Sequence, residues 1–204
     1  MKDNKGFTLI ELLAVVVILA VIMTLAIPNI VSTINRNKKE AFIEDAKKFQ
    51  ASAEYKMIND RSIELPNATS ALVLTLDEVD KTAIEVSPYS TNYSKTKSYV
   101  VITKESRSMQ VDEGDGAGRK SKNLNEYTFY VHLVTCSTDD CENDDINKRY
   151  GINLQRVDTL VDTNRFDAVV QASEVKATGL DDDTTRSDII SVIGNKSLVI
   201  PSVG

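Results

Sequence analysis

From Leu12 to Asn35 the chain carries no charged side chain for 24 consecutive positions. That stretch decides most of what the chain can be. Its centre, LLAVVVILAVIMTLAI from Leu12 to Ile27, is apolar on every face of a helix. At about 1.5 Å per residue, a helix from Phe7 to Ile27 spans roughly 30 Å, the thickness of a bilayer's hydrocarbon core. A helix buried in a soluble domain rarely stays apolar all round for so long. The sequence therefore predicts a transmembrane helix. It does not read as a secretory signal. The leader Met1-Lys2-Asp3-Asn4-Lys5-Gly6 is short, the apolar run exceeds the roughly 7–15 residues of a signal core, and no small-x-small cleavage site follows it.

Glu11 stands inside the apolar region. A carboxylate at the centre of a membrane helix costs about 2.5–3.5 kcal/mol on insertion scales, and less near an interface, so such residues are usually paired and functional. A cut after Gly6 would create a positive partner, the free α-amine of Phe7. A helix cannot easily bring its own N-terminus to a side chain four residues on, but a neighbouring copy shifted along a common axis can supply the amine. Glu11 then becomes an assembly device. The plainer alternative is a glutamate that snorkels to the interface.

The string Lys5-Gly6-Phe7-Thr8-Leu9-Ile10-Glu11-Leu12-Leu13 resembles the class III signal of type IV pilins and related pseudopilins. The resemblance covers the first 30–60 residues strongly and the remainder in layout. It implies that a prepilin peptidase cuts between Gly6 and Phe7 and that Phe7 becomes the N-methylated end. It implies that Glu11 registers subunits and that Pro28 matches the proline common near the end of the membrane part. Ala20 departs from the pattern, because many pilins carry a helix-loosening glycine there. Lys2 and Lys5 precede the helix while Arg36, Lys38 and Lys39 follow it, so positive charges do not vote on orientation. The resemblance implies the leader inside and the C-terminal domain outside.

Beyond Pro28, Ile30, Ile34, Phe42, Ala46, Phe49, Ala53 and Met57 recur at steps of three, four or eight, one apolar stripe at helical spacing. Charges fill the gaps, with Glu44 and Lys48 in the favoured i, i+4 order. The pattern predicts one helix from near Phe7 to near Asn59, bent at Pro28, which lacks a backbone donor. The expected organisation is a leader at 1–6, a transmembrane and assembly helix at 7–28, its amphipathic continuation at 29–60, and a globular domain at 61–204.

That domain reads as polar and turn-rich. Leu65-Pro66-Asn67 marks a loop, and Thr75-Leu76-Asp77-Glu78 fits a capping box opening a short helix with Leu76, Val79 and Ala83 on one side. Ser98–Thr103 and Glu126–Val134 read as strands, separated by the glycine-rich turn Glu113–Gly118. Asp167–Val175 suggests another strand, and Ile152–Val161 fits strand or helix. Asp188–Ile193 and Ser197–Ile200 flank Gly194-Asn195 as in a hairpin. The sum predicts an α+β fold, a long N-terminal helix packed on a C-terminal antiparallel sheet.

Signs of chemistry are sparse. Cys136 and Cys141 stand close enough for a tight turn to join them in a disulfide, which an exported domain permits, but they do not form a redox C-x-x-C pair. The acidic runs Asp139, Asp140, Glu142, Asp144, Asp145 and Asp181, Asp182, Asp183 lack EF-hand spacing and read as solvated loops. Gly114–Lys120 lacks P-loop spacing. His132, the one histidine, sits inside a predicted strand with no acid–base partner. Asn67-Ala68-Thr69 and Asn92-Tyr93-Ser94 are formal glycosylation acceptors. No catalytic set, metal site or cofactor is expected. A net charge of −6, from 24 basic and 30 acidic residues, disfavours a general nucleic-acid binder.

The expected protein is thus a structural pilin, held in the cytoplasmic membrane before assembly and displayed in a surface pilus after it. The resemblance implies further copies of the chain, minor pilins, a prepilin peptidase, and an assembly platform with its ATPase as partners. A pseudopilin of a type II secretion or DNA-uptake system shares every feature before residue 60. A membrane-anchored binding module that does not polymerise is the rival of a different class, and a tethered enzyme has no supporting constellation.

Overall fold

The computed structural model describes residues 8–79, 84, 86–112, 119–138, 141, 144–162 and 164–201. The fold is the expected α+β arrangement of a long N-terminal helix and a mostly antiparallel sheet. Its contacts divide the chain into Met1–Lys39 and Glu40–Gly204. Helix α1 runs over Leu9–Asn59, with Pro28 inside it.

In the second unit the apolar stripe of α1 does what its spacing predicts. Phe42, Ala46, Phe49, Ala53 and Met57 are buried, joined by Ile43, which the stripe omitted. Ile30 and Ile34, assigned to the same stripe, are instead exposed and lie within Met1–Lys39. On the outer side the ion pairs are Glu44–Lys47 at 2.7 Å and Asp45–Lys48 at 2.9 Å, both i, i+3, rather than Glu44–Lys48. Asp45 is held by a second bond, from the Tyr93 hydroxyl at 2.9 Å, which turns its carboxylate away from a simple surface role.

The sheet is built from β1 (Ser70–Thr75), β2 (Asn92–Tyr93), β3 (Tyr99–Asp112), β4 (Arg119–Cys136), β5 (Tyr150–Arg156), β6 (Val169–Gln171) and β7 (Ser197–Val199). The strand order is β6-β5-β4-β3-β1-β7, with β2 paired to β4. All pairings are antiparallel except β1 with β7, which run parallel. Side chains alternate across the sheet. Leu72, Leu74, Val100, Ile102, Val131 and Leu133 join the core beneath α1. Ala71, Val73, Tyr99, Val101 and Tyr130 join a second core beneath helix α2 (Asp183–Ile193), which contributes Ile189 and Ile193. A strand covered on both faces loses the polar–apolar alternation. β1 therefore reads only as the short run SALVLT, and the sequence pattern missed it.

Three local expectations are corrected. Asp188–Ile193 is not a hairpin strand but the end of α2. Asp182 caps its start, accepting from the Thr184 N–H at 2.7 Å. Ile189 and Ile193 lie four apart on the buried side, and Gly194 ends the helix in the left-handed region, φ +78°. The predicted Gly194-Asn195 turn is thus a helix stop, and Ser197–Val199 pairs with β1 instead. The capping-box contacts at Thr75 and Glu78 do form, 2.7 Å from the Thr75 N–H and 2.8 Å from its hydroxyl. They close a turn after β1, since 76–79 is not helical, and Ala83 lies outside the described residues. The segment 167–175 is only partly strand: β6 is flanked by 3-10 turns at Arg165–Ala168 and Ala172–Glu174. The ambiguous Ile152–Val161 resolves into the end of β5 and a 3-10 turn, Val157–Val161. The glycine-rich turn Glu113–Gly118 lies outside the described residues.

Candidate assembly site

The first part of α1 begins with a reciprocal cap. Thr8 is the last non-helical residue, and its carbonyl accepts the first helical bond, from the Leu12 N–H at 3.2 Å. Glu11 stands three residues on, as a capping box requires. Its Oε2 accepts the Thr8 N–H at 2.9 Å and the Thr8 hydroxyl at 2.8 Å, while the Thr8 Oγ1 accepts the Glu11 N–H at 3.4 Å. Glu11 therefore satisfies helix-end donors that lipid could not satisfy. The motif sequence Thr-x-x-Glu carries this signal, but the reading above used Glu11 only as an intermolecular acid. Gly6 and Phe7 lie outside the described residues.

Past the cap, the helix presents an apolar surface on every side. Its described large apolar side chains from Leu9 to Ile34 range from 48% exposed at Leu19 and Ile34 to 83% at Leu9. This is the one described helix long and apolar enough to cross a membrane. Two of its hydroxyls are turned onto the helix's own backbone. Thr24 Oγ1 donates to the Ala20 carbonyl at 2.8 Å, and Thr33 Oγ1 to the Asn29 carbonyl at 2.9 Å. Pro28 withholds the N–H that the Thr24 carbonyl would otherwise receive.

The other singled-out residues are elsewhere and serve packing. Cys136 and Cys141 are joined by a disulfide with Cα atoms 5.2 Å apart. The acidic run beside it is not uniformly solvated. The Asp144 side chain is fully buried; its Oδ1 accepts the Ser137 N–H at 2.7 Å and the Ser137 hydroxyl, and its Oδ2 accepts from Arg149 Nε at 2.7 Å. Arg149 also donates to the Cys141 carbonyl at 3.0 Å, so the pair ties both ends of the disulfide loop. Burial pushes the Asp144 carboxyl up, but the Ser137 bonds and Arg149 outweigh it and hold it below the usual carboxylate range. Asp139, Asp140 and Glu142 lie outside the described residues. In the second run, Asp181 is exposed while Asp182 is the α2 cap. His132 is buried beside Tyr99, ring centroids 4.8 Å apart, and its Nδ1 has no hydrogen-bond partner.

Two comparisons with known proteins give matches. The prokaryotic N-terminal methylation motif matches residues 1–27. The type IV wide pilus major component PilA4 of Thermus thermophilus is 43% identical over 53 residues, which cover 24% of this chain and 40% of that protein. No solved structure matches the chain. The chain is type IV pilin-like and carries a class III prepilin motif at its N-terminus.

Proposed function

We propose that the chain is a structural subunit of a type IV pilus filament, processed after Gly6 and assembled through its N-terminal helix. The observation that carries this reading is the pairing of an all-round apolar helix half with a motif-borne acid at its start. The matched relative is a pilus component, which supports a pilin-like filament subunit; a pseudopilin of a secretion or DNA-uptake machine is the alternative. The same similarity supports a structural rather than a catalytic role.

The mechanism is an exchange of surroundings. The precursor sits in the cytoplasmic membrane, and a prepilin peptidase removes residues 1–6. The leader holds two lysines and one aspartate, so the chain's net charge goes from −6 to −7. Phe7 then bears a free amine that is methylated. Lipid tails are as apolar as leucine, so leaving them for neighbouring helices gains little hydrophobic energy; side-chain packing and polar pairing must drive the step. Glu11 supplies the polar term. The three cap bonds occupy Oε2 and the backbone, and a carboxylate has acceptor sites to spare for a neighbour's Phe7 amine. Pro28 bends the helix where the packed segment ends. An assembly platform and its ATPase extrude the growing bundle, minor pilins join it, and the globular domains coat the resulting surface fibre.

The test is Glu11→Ala in cells that produce the fibre. Membrane insertion and leader removal should persist while fibre yield collapses. Fibres at normal yield from this variant would refute the registration role, and a wild-type chain that never leaves the membrane would refute the pilus reading.

A further inference from the structure

Three Asn-x-Ser/Thr triplets lie beyond α1, at Asn67-Ala68-Thr69, Asn92-Tyr93-Ser94 and Asn195-Lys196-Ser197. The fold treats them differently. Asn67 stands in the turn that leads into β1. Its Oδ1 accepts the Thr69 N–H at 2.9 Å, the Thr69 hydroxyl at 3.0 Å and the Ser70 N–H at 3.0 Å, and its own N–H donates to Ser70 Oγ at 3.2 Å. The chain around β7 clamps this turn from outside. Lys196 Nζ donates to the Ala68 carbonyl at 2.8 Å, and the Ser197 N–H and hydroxyl donate to the Thr69 carbonyl at 2.9 and 3.1 Å. Asn67, Ala68 and Thr69 are nevertheless all exposed.

The turn uses the oxygen of the Asn67 side chain and not its nitrogen. Aspartate closes such a turn as asparagine does. Among the described residues Nδ2 has no hydrogen-bond partner, so the turn presents a fixed, exposed amide nitrogen that the fold leaves unused. The other triplets are committed elsewhere. Asn92 is paired in β2 with Cys136, and Ser94 is 1% exposed with its N–H on the Val134 carbonyl at 2.8 Å. Ser197 belongs to β7, and its hydroxyl is held by the Thr69 carbonyl. At Asn67 the hydroxyl two residues on bonds the asparagine's own amide while all three residues stay exposed, a combination the other two triplets lack.

We propose that Asn67 is an N-glycosylation site, its nitrogen accepting an oligosaccharide from a polyprenyl-pyrophosphate carrier on the exported side of the membrane. In the transfer a bond forms between Nδ2 and the anomeric carbon of the sugar as the bond from that carbon to the pyrophosphate oxygen breaks. The lipid pyrophosphate leaves with the electron pair, and the Nδ2 proton passes to a base of the transferase. An amide nitrogen is a poor nucleophile because its lone pair is shared with the carbonyl. The three donors at Oδ1 lie where negative charge builds as Nδ2 gives up its proton, and so favour that step. The glycan adds bulky, hydrophilic cover at the rim of the sheet beside β1 and β7. The proposal rests on the exported globular domain of the function above, and not on polymerisation.

The experiment takes the full chain from cells that produce it, digests it with trypsin and fragments peptide 62–81 by electron transfer, which keeps glycans attached. A sugar mass on Asn67 is expected. Asn67→Asp keeps the turn and should lose that mass completely. Thr69→Ala should lose it although Asn67 remains, and Thr69→Ser should retain it. An intact Cys136–Cys141 disulfide and unchanged circular dichroism verify folding in each variant. Protease added to spheroplasts reports whether the domain is exported. An unmodified Asn67 in an exported chain, the sugar on Asn92 or Asn195 instead, or a Thr69→Ala chain modified like the wild type would overturn the site alone. A domain that the protease never reaches would overturn the function proposed above and the site with it.

Discussion

Acid should loosen the globular domain through one residue, His132. The side chain is 2% exposed, and burial pushes its imidazole from 6.5 down to about 4, with the Lys176 and Ile152 carbonyls opposing and the Lys176 charge assisting. The sign follows from linkage. Above pH 6.5 the ring is neutral in both folded and unfolded chains. Below that the unfolded chain takes up a proton that the folded chain refuses until about pH 4, so stability falls as pH falls through this window. At 1.36 kcal/mol per unit, the shift from 6.5 to about 4 amounts to a loss of about 3 kcal/mol. The chain has no second histidine to blur the effect. Urea unfolding of the full chain in non-ionic detergent, followed by tyrosine fluorescence at a series of pH values, measures it. The slope between pH 6.5 and 5 should disappear in His132→Leu, leaving only the carboxylate contributions at lower pH. A wild-type stability that is flat from pH 7 to 4.5, or a slope that survives in His132→Leu, would refute the reasoning.

Other perturbations follow from packing. Phe49→Ala removes a fully buried ring between α1 and the sheet and should cost about 3–5 kcal/mol in the same urea assay. Arg149→Met leaves the buried Asp144 carboxylate without its ion pair and should cost about 3–5 kcal/mol at pH 7, with much of the loss recovered when Asp144→Asn is added. Replacing both Cys136 and Cys141 by alanine opens a loop of sequence separation 5 and should cost about 2 kcal/mol, read as a lower urea midpoint.

What the sequence revealed follows the strength of its periodicities. The apolar run and the Phe42–Met57 stripe set α1, because each repeats over many turns and each meets a single environment. β3 and β4 were legible at their centres, where β-branched and aromatic residues cluster, but β3 past Thr103 and β4 before Glu126 were not, because charged, serine, asparagine and glutamine residues interrupt the apolar pattern there. β1 was missed because burial on both faces erased its alternation. α2 was mistaken for a hairpin arm because Gly194-Asn195 serves equally as a turn and as a helix stop, and only Asp182 and the Ile189–Ile193 spacing separate the two. In the assembly site, the acid of Glu11 was evident while its bond to Thr8 was not. Asp144 looked like one more solvated aspartate, and nothing in the run DDCENDD marks which carboxylate Arg149 will claim.

Everything proposed for the fibre depends on Phe7 becoming a free terminus that a neighbour's Glu11 can meet. The most direct measurement is the intact mass of this chain in fibres sheared from the cell surface, with fragmentation of its N-terminal peptide. The account predicts a chain that begins at Phe7 and is one methyl heavier than its sequence. A chain in those fibres that still begins at Met1 would contradict it.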